Sequence, residues 1–291
     1  MAQTQTSTTG NLQKMSRIML TKARYQEEHN MPVVQLIDRI NLANGHYQLD
    51  IPKVAQMNAS DLVDGEDFLD SEEISPTIVS ATAAEVGIKV IVTDRLLRQN
   101  NESVFSIIGR QMGDAMARKK DTDAIALFSG FSTSYGADNA LFNLANISGV
   151  IGNAKNNLIG TDFIVHHPLA VWKMTSTINN VVTSDGGALP DFFNKPPVRA
   201  FWSGIKLSGT PIFEDGNITK NSNDSGYGVI ASKDAMGYLV ASGKTERRQR
   251  DESLRATEVV IVEEYGMFEA DDSRGAALLY DFPDAGAAAT S

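Results

Sequence analysis

Four sets of side chains come close to known chemistry, and each fails at a named position. Ser242, Gly243, Lys244 and Thr245 resemble the end of a phosphate-binding loop, where backbone N–H groups and a lysine cradle phosphate oxygens. That loop needs a second glycine where Tyr238 stands, and Gly237 is one residue out of place. The segment that follows, TERRQRDESLR, is polar and charged and offers no apolar helix whose N-terminus would hold the phosphate. Asn221, Asn223, Ser225 and Gly226 imitate a calcium loop, but its first ligand is not Asp, and Ser232 occupies the place of the bidentate Glu. A surface turn between strands fits these residues better. His166 and His167 are adjacent, so on a strand they point to opposite faces and do not converge on one metal. One is expected to pack at a strand end and the other near a helix start, while His29 and His46 are isolated. Cysteine is absent, which excludes disulfides, thiol nucleophiles and Cys-based zinc sites. No GxSxG, HExxH or GxGxxG pattern occurs. The expectation is no catalytic residue, no cofactor-binding residue, no metal ligand and no enzyme.

The elements that would position any site are clearer. Val86, Ile88, Val90 and Val92 recur at every second position, the period of a half-buried strand. Val104, Ile108, Met112 and Met116 recur at every fourth, with Ile107 and Ala115 beside them, which predicts an amphipathic helix ending near Phe128. At about 1.5 Å per residue this rod is roughly 40 Å long, suited to lying across a flat subunit. Gly109 and Gly113 within it lower helix stability by about 1 kcal/mol each relative to Ala. They allow either a bend or a close approach by a neighbouring element. FIVHHPLAVWKM reads as a buried strand meeting a helix with Pro168 in its first turn, and GTPIFEDGNI as a strand ending in a turn. Trp172, Phe192, Phe193, Phe201 and Trp202 are expected to pack this lobe.

Composition bounds the class. With 42% hydrophobic and 21% charged residues in 291, the chain resembles an ordinary folded soluble protein. No stretch approaches the roughly 18 apolar residues of a membrane helix, and residues 1–13 have no signal-peptide pattern, so a cytoplasmic origin is expected. The ends, residues 1–13 and 284–291, read as mobile. A net charge of −10 argues against specific nucleic-acid binding, which depends on clustered Lys and Arg. The charge is uneven. Between Val54 and Ile88 there is no Lys or Arg, while Asp61, Asp64, Glu66, Asp67, Asp70, Glu72, Glu73 and Glu85 are acidic. Such a segment repels itself unless a basic partner meets it. Two clusters could serve: Arg118, Lys119 and Lys120, or Arg247, Arg248 and Arg250 with Arg255 nearby.

The order of these parts resembles the major capsid proteins of tailed bacteriophages, the HK97-like fold, over residues 15–281. The resemblance implies an α+β chain with an N-terminal arm, an extended E-loop hairpin, a long spine helix, a peripheral (P) domain sheet and an axial (A) domain. Residues 1–45 would form the arm, and 46–93 the E-loop with the first P-domain strand. Residues 94–130 would hold the spine helix SVFSIIGRQMGDAMARKKDTDAIALFSG, and 131–245 mainly the A domain. Residues 246–283 would be the P-domain return strands, including ATEVVIVEEYGMFEADDSRGAALLYDF, and 284–291 a flexible tail. The implied function is a virion shell, assembled in the bacterial host cytoplasm from hexamers and pentamers of one chain and enclosing DNA without reading its sequence. It also implies a precursor shell that matures by changing shape. In that family the E-loop lies over an adjacent subunit, so Asp61, Asp64, Glu66, Asp67 and Asp70 would meet Arg247, Arg248 and Arg250 of a neighbour. Some members weld subunits through a Lys to Asn isopeptide bond; Lys53 is the only lysine placed on the candidate loop, and the bond is not expected. No long charged helical extension precedes the arm, so the expected partners are a separate scaffolding protein and a portal, with decoration proteins left open. Two alternatives remain: an encapsulin-like nanocompartment shell, and a soluble α/β enzyme or binding protein with no recognisable motif.

Overall fold

The structure is a computed structural model that describes residues 31–43, 46–53, 61, 76–95, 103–179 and 205–282. Two sheets and one long helix make its frame. The strand read from alternation is β4 (Ala84–Thr93), following β1 (Asp38–Asn41), β2 (Gln48–Lys53) and β3 (Thr77–Thr82). The long helix is α1 (Ser103–Ala126), whose 24 residues span about 36 Å before a 3-10 turn at Leu127–Gly130. Then come β5 (Ser134–Leu141), α2 (Leu144–Asn156), β6 (Phe163–His166), α3 (Pro168–Asn179), β7 (Ile205–Leu207), β8 (Thr210–Glu214) and β9 (Ser225–Ala231). The chain closes with β10 (Met236–Asp251), β11 (Ala256–Glu269) and β12 (Gly275–Asp281).

One sheet has the order β1-β10-β11-β4, and the helix α1 lies on it. Val92, Val259 and Ile261 of the sheet pack with Met112 of the helix, joined by Ile88, Val90 and Ile108. The second sheet, β5-β12-β9-β6-β8-β7, carries α2 and α3. A single large core joins the two lobes: Phe128 and Phe131 at the end of α1 share it with Val33, Val34 and Ile37 and with Tyr238 and Tyr265. The β2-β3 hairpin docks through Ala81, Leu49, Ile51 and Val79 on Leu239 and Phe268.

Three readings change on inspection. β12, placed by its sequence with the P-domain return strands, pairs with β5 and β9 in the second sheet. The return to the first sheet begins at Met236, ten residues before the expected boundary at 246, and β1, assigned to the arm, pairs with it in parallel. The buried face of α1 is also rotated from the expected stripe. Ile107 is half exposed and Ala115 exposed, whereas Gly109, Met112, Gly113, Met116, Ala117, Lys120, Asp121 and Ala124 are buried. Two charged residues on that face hid its true direction. Burial of Gly109 and Gly113 matches the close-approach reading of these glycines. The side chain of Val104 lies outside the described residues, as do Phe192, Phe193, Phe201 and Trp202.

Candidate functional site

The joint between α1, the first sheet, the arm and the second sheet is where charge is buried. Lys120 Nζ donates to Glu263 Oε1 at 2.6 Å, with both side chains at most 6% exposed. Tyr238 donates its hydroxyl to the same oxygen at 3.2 Å, and the ammonium lies 5.7 and 5.5 Å from the ring centroids of Tyr238 and Tyr265. Glu263 Oε2 has no hydrogen-bond partner among the described residues. Tyr265 donates to Asp123 at 2.9 Å, and burial first, then that carboxylate, hold its hydroxyl well above the usual phenol range. Next to Lys120 on the helix, Asp121 accepts from the Val33 N–H of the arm at 3.2 Å and from Asn217 Nδ2 of the second lobe at 2.8 Å. Lys120 therefore ties the helix to the sheet, and Asp121 ties it to the arm and the other lobe.

The expected basic clusters are rearranged by these contacts. On α1, Arg118 pairs with Asp114 at 2.9 Å and Lys119 with Asp123 at 2.5 Å, both one turn away, while Lys120 is buried. On β10 the period of two splits the arginines. Arg248 and Arg250 stand opposite Val259 and Thr257, on the face that carries α1, and Arg247 stands opposite Val260 on the other face. Arg250 holds Asp94 with both terminal nitrogens at 3.0 and 2.9 Å and Glu252 at 2.7 Å, bonds that raise its already high pKa. Arg248 pairs with Glu246 at 2.7 Å. Arg247 is exposed. Of the acidic residues expected to face them, Asp61 is exposed, and Asp64, Glu66, Asp67 and Asp70 lie outside the described residues. A basic grouping that sequence reading missed is the cleft of about 910 Å³ between arm and β10, where Arg39, Lys233 and Lys244 gather from distant positions. Lys53 is engaged by Asp271 at 2.5 Å, which binds the far end of the β2-β3 pair, where it pairs with Thr77, to the turn before β12.

The near-miss motifs have structural roles. Ser242 to Glu246 lies inside β10, at two register shifts against β11. Asn221 and Asn223 donate their side-chain amides to Asp138 at 2.7 and 3.2 Å, and Asn221 Oδ1 accepts from the Asn223 and Ser225 N–H groups, which fixes the turn into β9. His166 is fully buried beside Phe142 and Phe282, and burial, with His167 adding to it, lowers its pKa to about 3. His167 stacks on Phe282 and accepts from the Leu169 N–H at 3.1 Å at the start of α3. Among the described residues no group of three or more His, Cys, Asp or Glu side chains could hold a metal ion, and no helix is long and apolar enough to cross a membrane.

A spine-like helix across a four-stranded sheet, a second lobe on a six-stranded sheet and a hairpin reaching from the first sheet define the HK97-like capsid fold. The same fold is found in Mycobacterium phage Che8, 17% identical, with 86% of this chain and 91% of that one covered and a TM-score of 0.65. Microbacterium phage Oxtober96 matches at 11% identity, 87% and 91% coverage and a TM-score of 0.64. A virus-like particle from Pyrococcus furiosus matches at 11% identity, 90% and 98% coverage and a TM-score of 0.59. No curated protein matches the sequence. A family model described as phage capsid protein matches residues 77–283, and the chain belongs to that family. It is a structural, shell-forming major capsid protein.

Proposed function

We propose that this chain builds an icosahedral shell around the DNA of a tailed bacteriophage, as hexamers and pentamers assembled in the host cytoplasm with a separate scaffolding protein and a portal. The observation that carries this reading is the joint occurrence of spine helix, two sheets and hairpin in an acidic chain. An acidic lining lets packed DNA slide because it does not grip phosphates. Purified chain, alone and with a candidate scaffold, should give shells, tubes or capsomer rings by electron microscopy and size-exclusion chromatography. A stable monomer or dimer under every condition would overturn the reading. Enzyme cargo in a shell without a portal would replace it with a nanocompartment.

The hairpin is proposed to reach a neighbour, where Asp61, Asp64, Glu66, Asp67 and Asp70 meet the arginines of β10. Arg247 is proposed to lead this contact, which is supported by Arg248 and Arg250 already holding carboxylates of their own subunit. Reversal of Arg247 to Glu should cut shell yield roughly tenfold at low salt, with a smaller effect at high salt where the attraction is already screened. Normal shells from the triple reversal of Arg247, Arg248 and Arg250 would dismiss the pairing.

A further inference from the structure

Asp121 is fully buried on the inner face of α1 near its C-terminal end, and Asp215, 2% exposed, follows directly on β8. Asn217 holds both carboxylates, its side-chain amide donating to Asp121 Oδ2 and its N–H to Asp215 Oδ1, so the two acids stand together in one buried site. Each is also fixed by other groups. Asp121 accepts from Val33 N–H, and Asp215 N–H donates to His166 O at 3.0 Å. Asp215 Oδ2 is buried with no donor among the described residues. Two carboxylates buried side by side, one with an oxygen that no donor meets, cannot both stay ionised, so the pair holds a proton.

We propose that the Asp121–Asp215 pair is a proton-held latch that locks the arm and the second lobe onto the spine helix and opens when that proton leaves. The remaining charges around it do not replace the proton. Asp114 and Arg118, two turns and one turn earlier on α1, are paired with each other beside a cleft of about 240 Å³ that Glu214 and Asp215 also line. Glu214, a carboxyl whose pKa burial raises, is neutral or negative and supplies no positive charge at any pH. Lys120 is turned to Glu263 on the sheet side. From the arm, residues 31–37 bring no ionisable side chain, and buried His166 stays neutral.

Burial first, then the neighbouring Asp215 carboxyl, push Asp121 from 3.8 up to about 8. A carboxyl raised in this way stabilises the folded joint fully below its unfolded value. That contribution declines as pH rises between the two values and is gone above the folded one. The latch is thus closed in acid and at neutrality and open in alkali. It rests on the geometry of one subunit and stands whether or not shells form.

Hydrogen exchange of the peptides spanning residues 31–37 and 214–218 tests it on the full-length unassembled chain, between about pH 6.5 and about pH 9.5, after correction for intrinsic exchange. Protection in the wild type should fall at least about tenfold around pH 8. Asp215→Asn should abolish that fall, because its oxygen still accepts from Asn217 while its amide donates to Asp121 at any pH. Glu214→Gln should keep the wild-type midpoint. Flat wild-type protection, an unchanged midpoint in Asp215→Asn, or loss of the transition in Glu214→Gln would each overturn the latch. If Asp215→Asn does not fold, Asp121→Asn is read by the same criteria.

Discussion

Replacing Lys120 with methionine is expected to cost about 3–5 kcal/mol, because it leaves the Glu263 carboxylate buried without its cation. The partner that would rescue it in water is out of reach: the Glu263 side chain is only 6% exposed, and its second oxygen already has no hydrogen-bond partner among the described residues. In a chain of this size that loss lowers the melting temperature by about 10 °C. Glu263→Leu alone should cost a similar amount by stranding the ammonium against the faces of Tyr238 and Tyr265. The double variant Lys120→Met with Glu263→Leu should recover at least half of the summed loss, since apolar groups of similar volume fill the site without a desolvation cost. The remaining deficit is assigned to the Tyr238 hydroxyl, which loses its acceptor, and adding Tyr238→Phe should remove it. Thermal and denaturant unfolding of the four variants decides the matter. Strict additivity of the single costs would mean the pair does not act as a unit, and the helix would then be held to the sheet by Met112 and its neighbours alone.

That pair also marks the limit of what the sequence could reveal. β4 and α1 were legible because apolar periods of two and of nearly four survive in their own residues. Lys120 was read as part of an exposed basic run, since its partner Glu263 lies 143 residues away. The inner stripe accordingly faded after Met116 where the real face continues through Lys120 and Asp121. The strand β12 was assigned to the wrong sheet for a different reason. Its first four residues are all buried, so it carries no alternation to say which neighbours it pairs with. The arginines of β10 could have been separated from sequence, because strand parity alone puts Arg247 opposite to Arg248 and Arg250. The HK97-like order of parts was legible because arm, hairpin, helix and lobe follow one another in a fixed sequence, even where no single motif identifies any of them.

Gly266→Ala should cost about 3 kcal/mol and displace the β2-β3 hairpin, the second large effect expected in this chain. A Cβ built at Gly266 would lie 2.2 Å from Thr82 O and 3.0 Å from Thr82 C. These are backbone atoms, and no rotamer change can move them aside. Thr82 ends β3, Ala83 is the single residue before β4, and Ala83 N–H donates to Tyr47 O at 2.9 Å, so the crossing over Gly266 fixes where the hairpin leaves the sheet. The substitution forces that crossing outward and loosens the packing of Ala81 and Val79 on Leu239 and Phe268. Gly152→Ala is the opposite case: it lies exposed on α2, nothing stands within 4 Å of the added carbon, and helix propensity predicts a gain of about 1 kcal/mol. Unfolding measurements on the two variants should therefore move in opposite directions. Hydrogen exchange should place the loss of protection in Gly266→Ala on residues 48–53 and 77–83. On the proposed reach of the hairpin to a neighbour, a folded Gly266→Ala chain should also fail to close shells, because this crossing sets the angle of the hairpin. Wild-type stability in Gly266→Ala would mean that the hairpin base can shift freely, and the crossing would then set neither the fold nor the reach of the hairpin.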